Sequence, residues 1–182
     1  MSSSSKLFLH SSTVQNVKGK IGSAIMLMMN SELNIVDSNL NGMTSIGEVV
    51  VGSAVINAQN SVVYIESSKF SSNQGNDIYS LTSPITVTGT DFEGITGVAK
   101  LSSFIYAEDT TVSITKTAMR NSFGPGNRGL RCNKCKDVDL SGNTFSQLYA
   151  IAIEADGSDG AAINIKDSCN IKIEDENKFS DL

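Results

Sequence analysis

An apolar-x-apolar pair recurs seven times along the chain in a constant phase: Leu7/Leu9, Leu33/Ile35, Val63/Ile65, Ile85/Val87, Val112/Ile114, Val138/Leu140 and Ile171/Ile173. The second members lie 26, 30, 22, 27, 26 and 33 residues apart. Three residues after each come Ser12, Ser38, Ser68, Thr90, Thr117 and Asn143, and five after each come Val14, Leu40, Phe70, Phe92, Met119 and Phe145. In the seventh unit these positions read Glu176 and Lys178, which breaks both columns, turns the core positions charged and marks that unit as a terminus. A repeat of about 20 to 50 residues folds as a solenoid, a propeller or an array, and the number of strands per unit decides which.

Each pair opens a strand. The residues between the two apolar positions, Phe8, Asn34, Tyr64, Thr86, Ser113, Asp139 and Lys172, are mostly polar, which is the period-two alternation of a strand with one face buried. Leu9, Ile35, Ile65, Val87, Ile114, Leu140 and Ile173 therefore form an inner column. The small polar column marks a corner, where a hydroxyl bonds nearby backbone or its neighbours in adjacent units. Phe70, Phe92 and Phe145 then point back into the core.

A second apolar element follows a loop of variable length, at Ala24-Ile25, Ala54-Val55, Asp77-Ile78, Phe104-Ile105, Gly129-Leu130 and Ala150-Ile-Ala-Ile153. Stacked strands tolerate unequal loops that bulge outward. The chain lacks the leucine-rich pattern, and its units are shorter than the roughly 40 residues of a propeller blade. The fold class expected is all-β: a right-handed parallel β-helix of about seven coils, stacked at about 4.8 Å into a rod about 30 Å tall.

The 182 residues suit one domain, expected over 7–182 after a leader over 1–6, as part of a longer solenoid or as a stacking unit. A net charge of -5 without a Lys/Arg cluster argues against nucleic acid as a partner. The longest apolar run, 24–29, is far below the roughly 20 residues of a membrane helix, so no membrane insertion is expected. The first residues carry no signal peptide.

These residues resemble the parallel β-helix of pectate-lyase-like proteins, and more narrowly the polymorphic-outer-membrane-protein repeats of chlamydiae and many protist surface proteins. Those repeats carry FxxN and GGA-aliphatic motifs. Phe70-Ser-Ser-Asn73 followed by Gly75-Asn-Asp-Ile78-Tyr79 matches best, and Ile21-Gly-Ser-Ala-Ile25 and Val51-Gly-Ser-Ala-Val55 echo the second motif. Phe92 and Phe145 lack the Asn three residues on, and Gly129-Leu130 keeps part of the Gly motif. The resemblance implies a noncatalytic structural or adhesive rod, extracellular or on a cell surface, with head-to-tail self-association into a filament as one variant and a surface carbohydrate or protein as ligand. The alternative is a carbohydrate-active enzyme, a polysaccharide lyase or glycoside hydrolase, or a carbohydrate-binding β-helix.

Catalysis on this scaffold would need carboxylates about 5 to 10 Å apart on neighbouring coils. The outward column after the pair reads His10, Val36, Glu66, Thr88, Thr115, Ser141 and Glu174, and the next reads Ser11, Asp37, Ser67, Gly89, Lys116, Gly142 and Asp175. The acids in both are isolated, so no catalytic residue and no cofactor is expected. Glu154, Asp156 and Asp159 form an acidic, Gly-rich insertion that offers oxygen ligands to calcium but lacks the EF-hand spacing, and a solvated turn is the plainer reading. Cys132-Asn-Lys-Cys135 has redox or zinc spacing without a second pair or a His cluster. In a strand the two face opposite sides, so Cys132, Cys135 and the remaining Cys169 are expected as free thiols, buried or partly buried. The run Ile25-Met-Leu-Met-Met29 reads as a core strand with Leu27 and Met29 on one face, and the four tyrosines, at unequal offsets, do not make one strip.

Overall fold

A computed structural model describes residues 4–19, 24–45, 54–95, 103–125, 128–151, 162–167 and 170–182. Among them there is no helix, and three parallel sheets wind as a right-handed β-helix. The first sheet stacks Lys6–His10, Glu32–Val36, Val62–Glu66, Ile85–Thr88, Thr111–Thr115, Asp137–Ser141 and Asn170–Glu174, one strand from each of seven coils. The second stacks Thr13–Gln15, Asn39–Asn41, Lys69–Ser71, Asp91–Glu93, Ala118–Pro125, Thr144–Ile151 and Lys178–Ser180. The third holds Ile25–Leu27, Ala54–Gln59, Asn76–Leu81, Ser103–Glu108, Arg128–Asn133 and Ile163–Lys166.

All seven apolar pairs are in register, from Leu9 opposite Ile35 to Leu140 opposite Ile173. Their inner members fill the core in coils two to six, where each finds an aliphatic neighbour above and below. The bulky column also stacks, with Phe70 and Phe92 rings 4.9 Å apart and Phe92 turned 5.8 Å from Phe104 of the third sheet. Close packing of this kind explains Gly129. A Cβ there would stand 2.6 Å from the carbonyl oxygen of Ala162 and 2.9 Å from the Phe145 ring.

The polar column is a buried ladder. Backbone N–H groups of Ser12, Ser38, Thr117 and Asn143 donate at 2.9–3.1 Å to the side-chain oxygen of the column member in the next coil, and those of Ser68 and Thr90 do so at 3.4 and 3.5 Å. The same hydroxyls donate to the carbonyl two residues back, as Ser68 does to Glu66 at 2.8 Å. The residue ahead of each member takes positive φ, for instance Asp37 at 49° and Lys116 at 51°, which turns the chain through the corner in one step.

Coil seven corrects the expected break. Both Asp175 and Glu176 adopt positive φ, 48° and 44°, so that corner holds one residue more than the others. Asn177 therefore fills the polar column, accepting from the Asn143 N–H at 2.9 Å, and Phe179 fills the bulky one, 5.1 Å from Phe145. Neither Glu176 nor Lys178 takes a core position, and the columns run on to the last coil.

Two further readings move. The sixth third-sheet strand is Ile163–Lys166, with Ile163 opposite Leu130 and Ile165 opposite Cys132, while Ala150 and Ile151 end the preceding second-sheet strand. In the first coil Ile25 and Leu27 share the inner face, whereas Met29 sits at positive φ in the corner and is exposed. The left-handed turn takes it out of the strand's alternation.

Candidate functional surfaces

On the first sheet, Glu66 and Glu174 do share one outer column, separated by Thr88, Thr115 and Ser141. Four coil steps place them about 19 Å apart, beyond the range for paired catalysis. The ion pairs here lie at the surface, Lys6 to Glu32 at 2.7 Å and Lys172 to Glu174 at 2.7 Å, and the His10 imidazole lies 3.8 Å from Asp37. Lys6, with help from the Asn34 amide, holds the Glu32 carboxyl below the usual range.

The second sheet carries a charge cluster that counting along the first sheet missed. The residues flanking the bulky column bring Lys69, Asp91, Glu93 and Arg120 onto one outer face. Lys69 Nζ lies 2.9 Å from Glu93 Oε2, Arg120 Nη2 lies 2.6 Å from Asp91 Oδ2, and Asn121 Nδ2 donates to Glu93 Oε1 at 3.1 Å. Lys69 and then Asn121 keep Glu93 below its ordinary pKa, so at neutral pH it accepts hydrogen bonds and holds no proton to give. The signal was available in the Lys-Phe-Ser and Asp-Phe-Glu triplets around Phe70 and Phe92.

The third sheet carries a second missed cluster. Tyr79 and Tyr106 lie opposite one another on neighbouring coils, rings 5.3 Å apart and edge-on, with Arg131 Cζ 5.1 Å from the Tyr106 centroid. Asn133 Nδ2 donates to Glu108 Oε1 at 3.1 Å, and the Tyr79 hydroxyl donates to Glu108 Oε2 at 3.5 Å. Both rings are 5% exposed, and burial, with Glu108 beside it, pushes the Tyr79 phenol up to about 12. This pair is packed rather than open, while Tyr64 and Tyr149 stand on other faces, so the tyrosines form no single strip.

Inside the rod, Asp77 is 1% exposed. Asn73, the Asn of the Phe70-Ser-Ser-Asn73 motif, donates from Nδ2 to Asp77 Oδ1 at 2.6 Å and to the Leu40 carbonyl at 3.3 Å, and its Oδ1 accepts the Met43 N–H at 2.9 Å. The motif thus clamps coil three to coil two. Burial pushes the Asp77 carboxyl up to about 7, with the Asn73 hydrogen bond opposing in part. It is a proton-binding group sealed in the core, away from any substrate approaching from solvent.

Cys132 and Cys135 are joined by a disulfide, Cα atoms 5.8 Å apart, and both are fully buried, which corrects the free-thiol expectation for this pair. Lys134 takes positive φ at 54°. That reversal brings Cys135 back to the inner side, instead of leaving it opposite Cys132 as an unbroken strand would. Cys169 lies outside the described residues, as do Glu154, Asp156 and Asp159. Among the described residues no three His, Cys, Asp or Glu groups gather as a metal site would require. A search of family models, curated proteins and solved structures finds no match to this chain.

Proposed function

We propose that this chain is a noncatalytic structural or adhesive segment of a surface-displayed or secreted β-helix, of the kind built from polymorphic-outer-membrane-protein repeats, and that it extends by stacking coil on coil through its end faces. The observation that carries this reading is the state of the inner columns at the two ends. Leu7 at one end and Ile171, Ile173 and Phe179 at the other are 39–53% exposed, though their column partners in coils two to six are buried. A first or last coil that no further coil covers presents unpaired strand edges, which template the addition of another parallel strand. The clamp made by Asn73 supports the repeat likeness, because it gives the FxxN Asn a definite task between coils. The Cys132–Cys135 bond supports an oxidising compartment outside the cytosol.

Sedimentation velocity over a hundredfold concentration range tests the stacking. The expected result is growth of end-to-end species with concentration, abolished by Ile173→Lys, which places a charge on the exposed face. A monomer at every concentration, with no rods by electron microscopy, refutes it.

A further inference from the structure

The two longest second-sheet strands, Ala118–Pro125 and Thr144–Ile151, do not stop at the corner where the others end. They remain paired beyond it, Ser122 opposite Leu148 and Phe123 opposite Tyr149. Alternation then decides the faces: Ser122 and Leu148 are fully buried, whereas Phe123 is 66% and Tyr149 46% exposed. Two aromatic side chains thus stand side by side on neighbouring coils, one strand spacing apart, on the outside of the rod. The nearby corners carry exposed amides, Gln147 two residues before Tyr149 and Asn121 two residues before Phe123, the latter already donating from Nδ2 to Glu93 Oε1 at 3.1 Å.

Size and charge narrow the occupant. An aromatic side chain buries about 150 to 250 Å², so two rings this exposed present on the order of 200 Å², against the roughly 800 Å² that each partner of a standard protein interface contributes. Among the described residues the two rings alone offer less than a protein face needs and suit a flat ligand with an apolar face and a polar rim. The net charge of -5 repels polyanions, and the guanidinium of Arg120, three residues before Phe123, is already engaged by Asp91 at 2.6 Å. A pyranose ring of a neutral polysaccharide has this chemistry, with C–H groups to lie on the rings and hydroxyls to meet the amides.

We propose that Phe123 and Tyr149 form a stacking platform for a neutral polysaccharide, with Asn121 and Gln147 at its edge. This gives the adhesive part of the function proposed above a site, and it holds or fails independently of end-to-end stacking.

Native gel electrophoresis of the full chain tests it, in gels cast with hydroxyethyl cellulose, a β-1,3-glucan or a mannan, and with polygalacturonate as the anionic comparison. The expected result is retardation by at least one neutral polymer. Phe123→Ala and Tyr149→Ala should each weaken it about tenfold, the factor equivalent to about 1.4 kcal/mol. Phe123→Tyr keeps the ring and should retain binding, and Tyr64→Ala, on the first sheet, should leave it unchanged. Circular dichroism of each variant separates lost binding from lost fold, and both alanine variants truncate exposed side chains. No retardation by any neutral polymer, retardation by polygalacturonate alone, or binding that survives both alanine changes overturns the proposal.

Discussion

Asp77 makes the stability of this rod fall as pH rises, opposite to the usual behaviour of a carboxylate held in an ion pair. In the unfolded chain it titrates near 3.8, and burial raises it to about 7 in the fold. Between those values the folded state keeps a proton that the unfolded state has lost, so the contribution is fully present below about 3.8 and is lost as pH climbs to about 7. At 1.36 kcal/mol per unit, the two pKa values predict a loss of about 3 kcal/mol between pH 5 and pH 8. Glu32 and Glu93, held low by Lys6 and Lys69, act with the opposite sign, but their share is lost below their ordinary 4.5 and so lies under this window.

Asp77→Asn isolates the effect. An Asn there keeps an oxygen to accept from Asn73 and carries a donor where the protonated acid carries its O–H, so it imitates the form the core prefers. Urea unfolding of both proteins at pH 5, 6, 7 and 8 measures the difference. With a slope of about 2 kcal/mol per M, the gap between variant and wild-type midpoints should widen by about 1.5 M across the series. A gap that stays constant, or narrows with pH, refutes the reasoning, and everything else that titrates cancels in the comparison.

Four other outcomes follow from the same packing. Ser68→Ala removes the acceptor for the Ser38 N–H and the donor to Glu66, and should cost about 1–3 kcal/mol in urea unfolding because the orphaned amide is buried. Gly129→Ala forces a methyl into the Ala162 carbonyl and the Phe145 ring, and a loss of about 1–3 kcal/mol is expected from the same assay. Phe179→Ala should cost roughly 1–2 kcal/mol by removing the half-exposed ring stacked on Phe145, while Lys178→Ala should cost nothing measurable, and the reverse order would restore the fixed-offset register. Alkylation of the denatured, unreduced protein should label one of the three cysteines, rising to three after reduction, as read by mass spectrometry.

The inner columns were legible in the sequence because a parallel stack demands a like residue at every rung. Any polar side chain at Ile35 or Leu140 would be buried without a partner, so burial constrains the aliphatic pattern in each of coils two to six, and the register of all seven pairs followed from spacing alone. The polar column was legible for the same reason, each member serving the amide of its neighbour. A corner imposes no such demand on its length. The extra left-handed residue at Asp175-Glu176 shifted the seventh coil by one position, and counting from Ile173 landed on Glu176 and Lys178 instead of Asn177 and Phe179.

The same left-handed corners account for what was missed. At Lys134 the reversal turns Cys135 inward, so a spacing that places two residues of a strand on opposite faces instead brings two sulfurs together in the core. Beyond the corners at Asn121 and Gln147 the strands resume alternation with a new phase, and this sets Phe123 and Tyr149 outward while Ser122 and Leu148 turn in. Outer positions answer to no stacking rule, so their chemistry becomes readable only when neighbouring coils are aligned: Asp91 and Glu93 look isolated along the chain, yet they meet Lys69 from the coil before and Arg120 from the coil after. The fold is therefore set by repetition along the columns, while outer residues are free to depart from it, as Phe123 and Tyr149 do: burying either ring would be favourable, yet the fold leaves them 66% and 46% exposed.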